Sequence, residues 1–550
     1  MKQETLEVYS KILEILKREK LKRDIYAALA YGSRIAGYAK KHSDYDLLII
    51  LDNYPSKIRY LYFKIDSVYA STLIVDKNMF VEDAKQAKYG EFIAGRLYSV
   101  YEPLVNREFI YEVDKTLKIR TSIEELCDLW CRYGELVKYL VIPIKYILFS
   151  RLKKRIKTYP HVRYSYLKTF FGEFGEINLK KALNTWITAL IELQSKGYIK
   201  LINDEIVIKS LNDICRYKPG LFDYLLRGIK SYITHGRSAK VGPQIVFEEL
   251  ASKVIRGFEA VSLPLELSNP EILLKLKAGR FESRKITDIE AVKEIFGKKA
   301  LIISKTRESM LSDVYKIVVK IDSDEYSILK KKFTYTFLFK WIFTQLWLLD
   351  IRRFTLNPSE RLLNEYLASI KLKELNINTS DIYLLSWRDR ALYARYITGI
   401  KLSNILLSDI DKVKKYFNIW GKLLGRIHKA GYSLGDTKPN NVIISLNGDI
   451  YIVDLEQVKK DIKSIEWDLA EALYYMLIPR IPLPRKDAVL EGCKSLLSGY
   501  LDEYGYEAVN ILRRIISFRY IRPFLPLTLP NRLLMVRRLI RDLIEVADKI

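Results

Sequence analysis

The first two dozen residues, MKQETLEVYSKILEILKREKLKRD, set apolar side chains at helical intervals among Lys and Glu. That pattern predicts an amphipathic surface helix rather than a leader peptide. Short apolar runs follow. IYAALAY reads as a buried strand, LLIIL as a second strand entered through Asp44-Tyr45-Asp46, and VYASTLIVD (68–76) as a third. Residues 89–106, with an Arg and two Tyr, read as a helix that closes this sheet, packing of those side chains against a nucleotide being the alternative. From 113 to about 160 the pattern is helical and basic. SYLKTFFGEFG, the helix NLKKALNTWITALIELQSKG and the hairpin YIKLINDEIVI, turning at Asn203-Asp204, come next. A soft boundary at 267–285 leads into strands DVYKIVVKI and EYSILKKKF, the helix NPSERLLNEYLASIKLKEL, and alternating strands through DIYLLSWRDRALYARYITG. Two further strands, NVIIS and DIYIVD, flank the turn Asn447-Gly448. The alternation predicts an α+β multidomain chain in three parts: 1–112, 113–270 and 283–550.

The middle part, with a helix, a turn, a longer helix ending at Gly197 and a hairpin, is similar in layout to a winged helix. Lys180 and Lys181 stand at the longer helix's start, where groove or phosphate contacts would be made.

At 550 residues the chain exceeds a single core, and 49% hydrophobic content excludes a disordered polymer. A formal charge of +26 favours polyanionic partners: nucleotides, RNA, DNA or an anionic membrane face. The same charge also fits a Lys/Glu-rich surface carrying excess base. The four cysteines, at 127, 131, 215 and 493, lack a second pair at zinc spacing. Cys127 and Cys131 are therefore expected to be free thiols in a reducing compartment. Two apolar runs, 139–149 and 335–350, are each broken by a lysine, Lys145 and Lys340. Both are too short to span a bilayer and read as buried helices, so no transmembrane segment and a cytoplasmic protein are expected.

The first candidate chemistry lies between the first two strands. Gly32-Ser33 follows an apolar strand and opens a short segment whose backbone N–H groups can face a triphosphate. The strand repeat of about two puts Asp44 and Asp46 on one face. Paired carboxylates there call for a hard divalent cation, Mg2+ or Mn2+, which would align an attacking hydroxyl and steady a leaving pyrophosphate. Gly-Ser, a gap of about a dozen residues, then Asp-x-Asp in an apolar strand resembles the signature of polymerase-β-type nucleotidyltransferases over roughly residues 20–110. The resemblance implies Gly32 and Ser33 as nucleotide-binding residues and Asp44 and Asp46 as catalytic metal ligands. It also implies a third carboxylate on a later strand, but VYASTLIVD offers Ser71 or Thr72 there. Asp66 is a substitute candidate, and Asp76 reads as a strand-ending residue.

The second lies in RIHKAGYSLGDTKPNNVIISLNGDIYIVDLEQ, whose hairpin brings Asp436, Asn441 and Asp454 to one edge. Asn441 and Asp454 can ligate a phosphate-bridging cation, and Asp436 can orient an acceptor hydroxyl. This arrangement resembles the catalytic loop of the protein-kinase superfamily, closest to RIO-like atypical kinases, over about 300–475. The resemblance implies Asp436 as catalytic aspartate, Asn441 and Asp454 as metal ligands, Lys330 on the α/β-phosphates of ATP or another NTP, and Glu365 as its partner. The chain departs from the pattern at Leu434, where a His is usual, and at Leu455-Glu456, which follow Asp454. SKTRESMLSD carries no glycine, so Ser309 or Ser312 would cover the phosphates. Asp468, in IEWDLAEALYY, is a candidate for tying down the loop.

Together these readings predict a bifunctional transferase with nucleotidyl transfer at one site and γ-phosphoryl transfer to a protein Ser/Thr at the other, with RNA as an alternative acceptor. Two other readings are a nucleic-acid-binding regulator whose enzyme-like domains sense nucleotide, and a sugar or lipid kinase.

Overall fold

The computed structural model describes residues 3–65, 68–210, 262–308, 312–335, 348, 350–479 and 481–547. Asp66, Ser309 and most of the apolar run 335–350 lie outside them. The chain is a mixed α/β molecule of two compact units, Met1–Lys277 and Ala278–Ile550. Among the described residues no helix is long and apolar enough to cross a membrane.

In the first unit, strands β1 (Ala27–Tyr31), β2 (Tyr45–Leu51), β3 (Ile58–Ile65), β4 (Val68–Asp76) and β5 (Glu102–Val105) form one sheet in the order β3-β4-β2-β1-β5. β2 and β4 run parallel, and the other neighbours are antiparallel. Helix α1 (Gln3–Ile15) lays Tyr9 and Ile12, continued by Leu16, on the face carrying Tyr45, Leu47, Ile49 and Leu51. Helices α3 (Lys77–Gln86) and α4 (Arg107–Tyr133) pack against the sheet as well, which is why β2 is apolar on both sides apart from Asp46. The one-turn helix α2 (Ser33–Ala36) sits between β1 and β2. Asp76 ends β4 and caps α3, accepting from the backbone N–H groups of Asn78 (3.1 Å) and Tyr54 (2.7 Å).

Beyond the sheet come β6 (Leu140–Pro143), α5 (Ile144–Thr158), α6 (Val162–Phe171), α7 (Gly175–Ser195) and the hairpin β7 (Ile199–Ile202) and β8 (Glu205–Ile208). With β9 (Lys275–Leu276) these strands order as β7-β8-β6-β9. The apolar run at 139–149 is thus not one buried helix but a strand and a helix. Pro143, in extended conformation, ends the first and caps the second. Buried charges tie the helices to the sheet domain: Arg120 donates to Glu91 (2.6 Å) and Glu124 (2.8 Å), and Arg155 to the Glu91 carbonyl (2.9 Å). The surrounding arginines, Arg151 foremost, hold the buried Glu91 carboxyl low despite burial, at about 2. Cys131 and Cys493 are free, whereas Cys127 is disulfide-bonded. This corrects the expectation of a free thiol at Cys127, because local spacing reveals only the neighbour one turn away.

In the second unit, β10 (Arg280–Glu282), α8 (Asp288–Phe296), β11 (Leu301–Arg307), β12 (Asp313–Ile321), β13 (Asp324–Lys332), α9 (Pro358–Glu374), β14 (Asn378–Thr379), β15 (Ile382–Ser386) and β16 (Ala391–Arg395) come first. Six of the strands form a sheet in the order β10-β15-β16-β13-β12-β11. β17 (Gly399–Lys401), α10 (Ile410–Lys429), β18 (Val442–Ser445), β19 (Ile450–Ile452), α11 (Ile465–Tyr474), α12 (Lys486–Tyr504) and α13 (Pro530–Ala547) follow. Their core gathers Phe417, Trp420, Leu424, Leu473, Leu496 and Tyr500. Helices α10 and α12 approach closely: a Cβ on Gly421 would lie 2.1 Å from the Leu496 carbonyl oxygen, and one on Gly499 2.1 Å from that of Asn418.

Two candidate active sites

At the first site the chain turns sharply out of β1. Gly32 has φ +83°, and a Cβ there would stand 2.1 Å from Asp46 Oδ2, so the Gly32 backbone lies directly against that carboxylate. Arg34 donates through Nε to the Ser43 carbonyl (3.1 Å) and stacks 4.0 Å from the Tyr45 ring centroid. It thereby fixes the loop that delivers Asp44, the residue just before β2. Register pairs Asp46 with Tyr31 on one side and Ser71 on the other. Directly paired residues share a face, so Ser71 occupies the place beside Asp46. Thr72 points to the opposite face and is fully buried. No acid of β4 therefore stands beside Asp46.

Arg96 completes this face. It donates to Tyr60 Oη (2.9 Å) and lies 5.2 Å from the Tyr31 ring centroid. Burial works against the Arg96 charge, but Tyr31, Tyr60 and Asp46 outweigh it and raise its proton affinity. Burial also raises the Tyr31 phenol. The arginine of segment 89–106 thus stands near Asp46 and Tyr31, while the same segment also supplies β5 to the sheet. The Asp44/Asp46 pair offers hard oxygen donors suited to a divalent cation, and Asp66, the candidate third acid, lies outside the described residues.

The start of α7 packs beside this site. Asn178 donates to the Ala36 carbonyl (2.8 Å), and a Cβ on Gly37 would stand 2.9 Å from the Phe174 ring. Lys180 and Lys181 remain exposed on the same helix.

At the second site the lysine that meets Glu365 is Lys331, not Lys330. Its Nζ donates to Glu365 Oε2 (2.8 Å) and Asp454 Oδ1 (2.5 Å) and lies 3.3 Å from Glu456 Oε2. The pleat sends Lys330 to the other face, where it pairs with Asp288 beside Tyr393. Burial would raise Asp288, but hydrogen bonds from Lys305, Lys330 and Tyr393 hold it at about 2. Burial costs the Lys331 charge, yet Asp454, Glu365 and Glu456 more than compensate and raise its proton affinity. Burial pushes the Glu365 carboxyl up, against the pull of Lys331.

Glu365, Asp454 and Glu456 form the group of three acidic donors found among the described residues, their ligand oxygens within 4.8 Å of one another. Arg361 clasps Glu456 with 2.9 Å bonds to both oxygens. Three carboxylates thus face two cations, leaving one negative charge that a divalent ion can answer. Asp454 itself sits at φ +63°, a strained backbone for a non-glycine residue.

The loop carrying Asp436 is anchored from below. Asp468, fully buried, accepts from the backbone N–H groups of Leu434 (2.5 Å) and Gly435 (2.8 Å) and pairs with Arg352 and His428 at 3.3 Å. Leu434, where a His was expected, packs in the core, while His428 from α10 reaches Asp468 and Tyr500 Oη (2.8 Å). Gly435 has φ +81°, and a Cβ there would strike the Arg352 guanidinium. Asn441 donates to the Asp436 carbonyl (3.0 Å), which leaves its side-chain oxygen available as a ligand. Asp436 pairs with Lys438 Nζ (2.8 Å), which also lies 3.7 Å from Glu471. Glu471 accepts from Thr437 N (2.7 Å). Burial pushes the Glu471 carboxyl up to about 8, opposed by Lys438 and reinforced by Asp436. Lys438 and Glu471 were not singled out by sequence, and Glu456 was noted only as a departure after Asp454; Lys438 and Glu456 each lie two residues from a candidate aspartate, whereas Glu471 gave no local signal. Ser312 stands at the entry to β12, its carbonyl near Arg307.

Residues 10–92 match the family described as Polymerase beta, Nucleotidyltransferase. No curated protein matches the chain. The match covers strands β1 to β4 with Gly32, Ser33, Asp44, Asp46 and Ser71, and identifies the N-terminal part as similar to a nucleotidyltransferase domain.

Proposed function

We propose that the chain is a bifunctional nucleotide-dependent transferase, with a nucleotidyltransferase site at Asp44/Asp46 and a phosphoryltransferase site of atypical protein-kinase type at Asp436. The family match at residues 10–92 supports the first. One observation carries the second: Lys331 is held among Glu365, Asp454 and Glu456 in the same unit as a loop whose Asp436 is anchored through Asp468. Those residues, far apart in sequence, have the charges that nucleotide phosphates, a cation and an acceptor hydroxyl require.

At the second site Lys331, oriented by Glu365, binds the α- and β-phosphates. Asp454 and Asn441 would hold the divalent cation, with Glu456 as neighbour. A divalent cation there would draw charge from the β- and γ-phosphates. Asp436 orients the acceptor hydroxyl and takes its proton as the new O–P bond forms and the bond to the leaving ADP breaks. Lys438 sits beside Asp436 and neutralises charge gathering on the transferred group. At the first site Asp44 and Asp46 would hold the cation, and Gly32 and Ser33 would face the nucleotide phosphates. The acceptor hydroxyl attacks the α-phosphorus and pyrophosphate leaves. With Ser71 in place of a third acid, deprotonation of the acceptor is poorly assisted and transfer is slow.

A protein Ser/Thr hydroxyl is the proposed acceptor at the second site. Purified full-length protein given ATP labelled at the γ-phosphate tests the second site. Label transfer lost on Asp436→Asn supports the reading, and transfer that survives it refutes the reading.

A further inference from the structure

From Pro523, after the short helix Phe518–Ile521, into the start of α13 runs PFLPLTLPN (523–531), nine residues without a charge in a chain that is 29% charged. Leu525 is 40% exposed, Leu527 and Leu529 are 52% exposed each, and Leu534 on the first turn of α13 is 61% exposed. Single exposed leucines are ordinary, but four within ten residues are not. The turn is held firmly. Phe524 is buried against Trp467, with ring centroids 5.8 Å apart, and the buried Thr528 donates to the Phe524 carbonyl (2.8 Å). Pro526 and Pro530 stiffen it further. The leucines are therefore presented outward by an anchored turn.

Arg532, half-buried, stands between Leu529 and Leu534, and the exposed charges behind the tip are layered. Leu534, Arg538 and Arg541 follow at helical spacing on one face of α13, and both arginines are exposed. They stand about 6 and 10 Å back from Leu534 along the helix axis, at 1.5 Å per residue. The acids Asp542 and Glu545 come only beyond them. An apolar tip, then arginines, then acids is the order met on leaving a bilayer: acyl chains, phosphates, water. An apolar element that enters by about 5–10 Å brings those arginines to the phosphate level.

We propose that the 525–541 surface docks on an anionic lipid bilayer, the leucine tip entering the acyl boundary and Arg538 and Arg541 pairing with lipid phosphates. The surface belongs to the second unit and does not depend on the catalytic reading. The test is co-sedimentation of the full-length protein with vesicles of phosphatidylglycerol and phosphatidylcholine, beside vesicles of phosphatidylcholine alone. Wild type should partition to the anionic vesicles. Leu525→Ser/Leu527→Ser/Leu529→Ser should weaken that binding about tenfold or more. Arg538→Gln/Arg541→Gln should erase the preference for anionic over neutral vesicles. All five positions are exposed, so an unchanged thermal melt checks that the variants fold. No binding by wild type overturns the proposal. So does binding that the leucine variant keeps in full, which would assign it to the diffuse positive charge. Self-association without vesicles, seen by sedimentation velocity and lost in the leucine variant, would give the patch to a second copy and overturn it too.

Discussion

Replacing Lys331 by Met separates the two neighbouring lysines cleanly. Lys331 is about nine-tenths buried and faces three carboxylates at 2.5 to 3.3 Å. Removing one partner of a buried ion pair typically costs about 3–5 kcal/mol. Protonation of Glu365, already raised by burial, relieves part of this and brings the expected loss to about 2–4 kcal/mol. Lys330→Met removes one of several partners of Asp288, which keeps Lys305 and Tyr393, and should cost about 1 kcal/mol or less. Hydrogen exchange of the full-length protein, followed over peptides covering 433–456, reads the difference locally. Lys331→Met should speed exchange there by about 30- to 1,000-fold, and Lys330→Met by under tenfold. Millimolar Mg2+ should protect the Lys331→Met variant more than wild type, since the cation can answer the three carboxylates. The γ-phosphoryl transfer should fall at least about a hundredfold in Lys331→Met and stay within severalfold in Lys330→Met. Equal losses in the two variants, or the larger loss at Lys330, would refute the assignment.

Three further substitutions probe the rest. Ser71→Asp places a carboxylate beside Asp46 and should raise nucleotidyl transfer about tenfold or more, read as label from the α-phosphate; no gain would show that this position does not supply the missing acid. Gly32→Ala puts a Cβ 2.1 Å from Asp46 Oδ2 at a φ of +83° and should abolish nucleotide binding at the first site, read by equilibrium dialysis; unchanged binding would remove Gly32 from the site. Glu471, buried and raised to about 8 from an ordinary 4.5, holds its proton more tightly folded than unfolded. Its contribution to stability is present in full below about pH 4.5 and is lost as pH rises toward 8. The free energy of unfolding should therefore drop between pH 5 and 8, by an amount on the order of 1–3 kcal/mol as read by denaturant melts, and Glu471→Gln should flatten that slope. A slope unchanged by the substitution would contradict the cause.

Contiguous features were the most legible in the sequence. Gly32-Ser33 and Asp44-x-Asp46 are fixed by a strand, a turn and a strand within fifteen residues, and the structure sets Gly32 against Asp46. Asp468 was visible as an acid in an apolar helix, and it does bind the backbone before Asp436. The lysine was not legible, because 330, 331 and 332 are all Lys and only the pleat decides which faces Glu365. Ser71 and Thr72 were equally good until the parallel register with β2 placed Ser71 beside Asp46. Glu456 stood out only as a departure after Asp454, and its role was hidden because the Arg361 that clasps it lies 95 residues earlier on α9. Arg96 was read as part of a closing segment because nothing local ties it to Tyr31 and Tyr60. Pairings across long stretches of chain are set by packing, and one sequence does not display them.

The most direct test of two transfer sites is to give the full-length protein ATP labelled at the α- or the γ-phosphate, with Mg2+ or Mn2+ and cellular RNA. Wild type is compared with Asp44→Asn/Asp46→Asn and with Asp454→Asn. Transfer of α-label lost only in the first variant, and of γ-label lost only in the second, is the predicted result. Nucleotide bound by wild type with neither label transferred would contradict the account.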